Sequence, residues 1–149
     1  MTERYAKPGW FTTHVFNPLV RALTAAGVSV MGSRVLAVRG RATGEVRTTP
    51  VNLLTHDGDR YLVSPRGNSQ WVRNLRAAGE GELRVGNKAE RFRAAEVADA
   101  DKPPILRAYL KRWRAEVGVF FGGVTAAASD EDLLKIAPNH PVFRVTPTN

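Results

Sequence analysis

Two runs of β-forming residues, Val35 to Arg41 and Val46 to Thr55, face each other across a Thr43-Gly44 turn, and no other feature constrains the fold as much. A β-branched run, a glycine-bearing turn and a second such run read as an antiparallel hairpin. Pro50 lies inside the second run, so that strand is an edge there or carries a bulge. The turn also carries charge: Arg39, Arg41 and Arg47 surround Gly40 and Gly44. Free backbone N–H groups with guanidinium forks nearby suit a phosphate or other oxyanion.

The remaining pattern extends the hairpin into an α+β domain. His56-Asp57-Gly58-Asp59 reads as a turn into the strand Arg60-Tyr61-Leu62-Val63. A helix follows, capped by Asn68 or Ser69, with Trp71, Leu75 and Ala78 on one face and Gly79 after its end. Leu83-Arg84-Val85 and Ala89 to Arg93 form another hairpin across Gly86-Asn87. Asp99 or Asp101 is expected to cap a longer helix with the apolar stripe Ile105, Leu106, Tyr109, Leu110, Trp113 and Val117, and with Arg107, Lys111 and Arg114 facing away. Ser129-Asp130-Glu131-Asp132 has the form of a capping box, Pro138 ends the short helix behind it, and Val142-Phe143-Arg144-Val145 is a last strand. Upstream, Trp10, Phe11, Val15, Phe16, Leu19, Val20 and Leu23 recur at helical spacing, divided at Asn17-Pro18 and stopped near Gly27. Antiparallel strands with helices between and after them point to a small barrel or curved sheet. The expected organisation is one domain over 1–149, with a helical segment at 1–32 and a barrel core with helices at 33–149.

Composition narrows the chemistry. The formal charge is +8. Between Ser33 and Gly79 eight arginines (34, 39, 41, 47, 60, 66, 73 and 76) stand against only Glu45, Asp57 and Asp59. That concentration favours an anionic partner. There is no cysteine, hence neither a disulfide nor a thiol nucleophile. His14, His56 and His140 lie far apart in sequence and read as surface or turn residues, so no metal is expected. The chain has no Gly-x-Ser-x-Gly elbow, no Walker lysine and no Rossmann glycine fingerprint. No catalytic side chain stands out; a bound cofactor is expected to carry the chemistry. The N-terminus lacks the apolar core of a signal peptide, and no apolar run is long enough to span a bilayer, which reads as cytoplasmic.

The stretch Gly40-Arg41-Ala42-Thr43-Gly44-Glu45-Val46-Arg47-Thr48-Thr49-Pro50, followed by Trp71-Val72-Arg73-Asn74-Leu75-Arg76-Ala77, resembles the deazaflavin-dependent nitroreductase and quinone reductase family. The resemblance runs from about Val35 to Val97 and implies a split β-barrel that binds coenzyme F420 in a groove. It places Arg47 on the cofactor's phosphate or acidic tail, with Arg41 and Thr43 in the same turn. It also places Thr49 and Pro50 along the ring system, Pro65, Arg66 and Gly67 in a loop whose N–H groups meet the cofactor, and Trp71 and Asn74 on a helix closing over it. A lysine common after Gly-Arg in the family is Ala42 here, and the loop from Ser64 to Trp71 is shorter than in some members. Where drug-reducing members carry tyrosines, this sequence has Val119-Phe120-Phe121-Gly122-Gly123, so Phe120 and Phe121 become candidates for an apolar substrate wall together with Trp10 and Phe11.

The implied activity is hydride transfer from a reduced deazaflavin to a small electron-poor acceptor such as a quinone, enone or nitroaromatic. The missing tyrosines count against nitroimidazoles. Two alternatives stand beside it: a flavin mononucleotide (FMN) oxidoreductase on the same barrel, and a basic nucleic-acid-binding module. The second is disfavoured because no nucleic-acid recognition signature accompanies the charge. The N-terminal helix, apolar on one face and flanked by Arg4, Lys7 and Arg21, is a candidate for peripheral membrane contact.

Overall fold

The structure, a computed structural model, describes residues 33–148. The expected N-terminal helix, with Trp10, Phe11 and the candidate lipid contact, lies outside those residues. Six strands, β1 (Ser33–Arg39), β2 (Val46–His56), β3 (Asp59–Val63), β4 (Glu80–Val85), β5 (Lys88–Glu96) and β6 (Val142–Pro147), close into an antiparallel barrel in the order β1-β2-β3-β6-β5-β4. The hairpin expected at Thr43-Gly44 is the β1–β2 hairpin, in register from Arg39 opposite Val46 to Ser33 opposite Asn52. β3 joins β2 only from Leu53 onward. Pro50 therefore sits where β2 has β1 on one side and no described strand on the other, and its missing N–H is tolerated there.

Strand alternation explains how the helices are placed. Leu36, Val38, Leu53, Leu62, Leu83, Phe92, Phe143 and Val145 point into the barrel, where α1 (Gln70–Ala78) adds Val72 and Leu75. On the outer face of β2, β3 and β6, the residues in between are also apolar: Leu54, Tyr61, Val63 and Val142. A strand apolar on both faces needs a cover. Here α2 (Pro103–Val117) supplies it, with a 3₁₀ turn at Gly118–Phe121 and α3 (Asp130–Ile136) completing the layer. β4 and β5 turn Glu82, Arg84, Arg91 and Arg93 outward; Glu82 and Arg84 pair at 2.7 Å, and neither α2 nor α3 covers these two strands. Each large aliphatic side chain buried in these two cores contributes about 1.5–3 kcal/mol.

Several helix details differ from expectation. The stripe on α2 is buried as expected, but neither Asp99 nor Asp101 caps that helix: Lys102 holds the cap position and Pro103-Pro104 open the helix. A proline at the first helical positions lacks only an N–H that would have no partner anyway. Asp99 instead meets the buried Lys102 ammonium at 2.7 Å. Arg107 does not simply face away; it donates to the carbonyls of Ala126 and Ala128 and pairs with Asp130, bracing the loop before α3. On α1 the buried face is Val72, Asn74 and Leu75, and Ala78 is exposed. Ser129 caps α3 by accepting from the Asp132 N–H.

Candidate functional site

The β1–β2 turn is built tightly. Gly40 N–H donates to the Glu45 carbonyl at 2.7 Å and Gly44 N–H to the Gly40 carbonyl at 2.9 Å. A Cβ on Gly40 would lie 3.0 Å from the Glu45 carbonyl oxygen, and Gly44 has a φ of 80°. Both positions therefore call for glycine. Arg39 Nη1 donates to the Gly44 carbonyl, and Thr43 Oγ1 accepts from the Glu45 N–H.

That turn docks onto α1. Asn74, 5 % exposed, accepts from both the backbone N–H and Nη1 of Arg41, at 3.1 and 2.7 Å. Arg41 Nη1 also donates to Gln70 Oε1 at 3.0 Å. Two sequence segments expected to share a ligand are thus held against each other. Asn74 fixes Arg41 and the turn, a role the motif alone did not reveal.

The start of α1 fits an anion. Its hydrogen-bond ladder begins with Arg73 N–H donating to the Ser69 carbonyl, leaving the N–H groups of Gln70, Trp71 and Val72 outside it. Ser69 occupies the cap position, yet its hydroxyl makes no cap bond and is buried without a partner. No acid lies in the first turn. A positive helix end with open N–H groups and a fixed guanidinium beside it is suited to phosphate.

The other arginines divide by partner. Arg60 pairs with Glu90 and Arg76 with Glu96, both at 2.7 Å, and the Arg76 hydrogen bond holds the Glu96 carboxyl below its ordinary value. Those two serve the barrel wall. The Arg47 side chain is 61 % exposed, with a 3.9 Å contact to the exposed Glu45. It is available to a ligand. Thr49 and Pro50 are half-buried on the same strand.

The loop after β3 is pinned from within. Ser64 Oγ and Ser69 N–H both donate to the Gly67 carbonyl, and Gly67 takes a φ of 77°. On its far side lies a shallow, open depression of about 450 Å³ lined by Pro65, Arg66, Gly67, Phe120, Asn139 and His140. The Arg66 guanidinium lies over the Phe120 ring, 4.9 Å from its centre. Such a contact is worth about 0.5–1 kcal/mol at an exposed site. Phe120 and Phe121 do not form one wall: Phe120 is 39 % exposed, whereas Phe121 is buried against Tyr109 and stacked on His140 at 3.9 Å. Trp71, half-buried, packs on Phe143.

His140 follows a 3₁₀ turn at Ala137–Asn139 but is not a surface histidine. It is 4 % exposed, and Nδ1 lies 3.2 Å from the Ser64 carbonyl, to which Nδ1–H donates. Burial lowers its pKa, the nearby Lys102 adds to the effect, and the Ser64 carbonyl opposes it. Sequence reasoning missed His140 because its surroundings come from loops distant in the chain. Pro138 and Pro141 on either side hinted only at a constrained turn.

The sequence profile of the F420H(2)-dependent quinone reductases matches residues 10–120. The chain belongs to that family. It is thus an F420-dependent oxidoreductase, with F420 as its cofactor. No curated protein matches it significantly. Among solved structures, an F420-H2 dependent reductase (FDR-A) superposes with a TM-score of 0.52 at 16 % identity, over 77 % of this chain and 94 % of that one. General stress protein 26 from Bacillus anthracis gives 0.53 at 11 % identity, over 86 % and 88 %. A pyridoxamine 5'-phosphate oxidase-like protein from Listeria innocua gives 0.53 at 13 % identity, over 79 % and 85 %. At these identities the likeness is one of fold, a split barrel. Among the described residues, no helix is long and apolar enough to cross a membrane.

Proposed function

We propose that this family member reduces a quinone-type acceptor, with the anionic arm of F420 held between the β1–β2 turn and the start of α1. The observation that carries the reading is the uncapped N-terminus of α1, with the Ser69 hydroxyl orphaned and Arg41 fixed beside it. A folded protein rarely leaves a buried hydroxyl unmatched, and such atoms mark strain or a ligand site. Gln70, Trp71 and Val72 would offer N–H groups, Arg41 a guanidinium of set orientation, and Arg47 an exposed second cation. Thr43 would stand in the same turn, Thr49 and Pro50 would line the strand along the ring system, and Trp71 would cover it from α1. Reduced F420 supplies a hydride when bound. The protein's part is to orient the two reactants and to exclude water between them.

Quenching of F420 fluorescence by the purified protein tests this directly. Micromolar-range binding is expected, weaker at high salt because Arg47 is exposed to screening. Arg47→Ala is expected to weaken it about tenfold, the effect of losing one charged hydrogen bond. Undiminished affinity in that variant would remove Arg47 from the site.

A further inference from the structure

We infer that Arg66 serves the electron acceptor rather than the cofactor: it meets the carbonyl edge of a quinone ring seated on Phe120 in the Phe120–His140 depression and stabilises the oxyanion that reduction creates there. The inference rests on the quinone-reductase reading and adds to it a place and a charge for the acceptor.

Three observations meet at this spot. Among the described residues, Arg66 is the one permanent cation lining the depression and has no hydrogen bond or carboxylate partner. Its guanidinium is held on the face of Phe120, an aromatic ring more than a third exposed. The neutral floor is His140, whose one N–H is spent on the Ser64 carbonyl and whose ring is locked against Phe121. A planar electron-poor ring can take the place of the guanidinium on Phe120 while its carbonyl oxygen receives the freed N–H donors. The resulting arrangement stacks one face and charges one edge, the complement of a quinone.

The chemistry balances. A quinone that gains a hydride from the reduced cofactor becomes a hydroquinone monoanion, oxidising the cofactor by two electrons. One proton then completes the hydroquinone. His140 has no N–H to give, and the depression is open, so water delivers that proton. Negative charge thus sits on the acceptor oxygen before protonation, and a guanidinium that does not titrate at neutral pH is the group to meet it. The assignment also divides the loop after β3 into two working faces: the Ser69 side toward the cofactor's anion, the Arg66 side toward the acceptor.

Arg66→Gln and Arg66→Lys separate the possibilities. The first readout is binding of 2-hydroxy-1,4-naphthoquinone, an anion at neutral pH, to protein loaded with oxidised F420, followed by calorimetry without turnover. The second is F420 affinity by fluorescence, and the third is kcat/KM with menadione. Arg66→Gln is expected to weaken naphthoquinone binding and kcat/KM about tenfold or more, with F420 affinity unchanged within twofold. Arg66→Lys is expected to restore part of both, since it keeps the charge but not the planar fork. Loss of F420 affinity with naphthoquinone binding intact would overturn the inference and return Arg66 to the cofactor. Full naphthoquinone affinity in both variants would overturn it too. Failure of the wild-type protein to bind F420 would instead sink the cofactor reading; the naphthoquinone titration, repeated on cofactor-free protein, would still decide the role of Arg66.

Discussion

Asn74 shows how much one residue can decide. A carboxamide inside a helix that otherwise packs Val72 and Leu75 is an unfavourable choice unless it has partners. Its oxygen takes two donors from Arg41, one from the backbone and one from the side chain. Asn74→Ala is therefore expected to cost about 1–3 kcal/mol, the penalty of stranding a donor at a partly buried site. Urea denaturation measures that loss. F420 binding should weaken as well, because Arg41 loses its orientation. Combining Asn74→Ala with Arg41→Ala should give less than the sum of the two effects on binding, as residues of one network do. Additive effects would mean that Asn74 contacts the ligand independently.

At the scale of elements, α1 is a short helix made dependable by its C-terminal end. Gly79 ends it at a φ of 74°, with its N–H on the Leu75 carbonyl. A Cβ there meets nothing within 4 Å, so Gly79→Ala isolates the conformational cost. About 1 kcal/mol of stability should be lost, read as a lower urea midpoint with an unchanged slope. The N-terminal end is left open by contrast, with the Ser69 hydroxyl making no bond to the amides it would normally cap. A helix closed at one end and open at the other is well suited to receiving an anion. α3, which has no such task, is capped by Ser129 in the ordinary way.

For the whole molecule, the barrel and the helical layer are joined through buried polar groups whose ionisation matters. His140 lies between them, and burial lowers its pKa from 6.5. The unfolded chain then binds a proton that the folded protein resists, so stability is full above about pH 6.5 and declines as pH falls through the lowered value. Thermal unfolding from pH 8 down to 5 should show this decline, and His140→Gln should flatten it. Glu96 acts in a separate, more acidic window: its carboxyl is held below 4.5 by Arg76, and that contribution is lost only below pH 4.5. The buried Tyr109 phenol, pushed up to about 12, takes no part in either window. Much of this architecture was legible in the chain. The β1–β2 hairpin, the stripe on α2, the stop at Gly79 and the cap at Ser129 follow from periodicity and turn chemistry, which are local and so are written in neighbouring residues. The phosphate-type turn and its family were legible for the same reason. Tertiary structure alone decided that Phe121 is core while Phe120 faces solvent, that Asn74 serves Arg41, and that His140 and Arg66 line one depression. Those outcomes depend on which loops closure of the barrel brings together, and contacts between residues 64–67, 120 and 139–140 leave no periodic trace in the sequence.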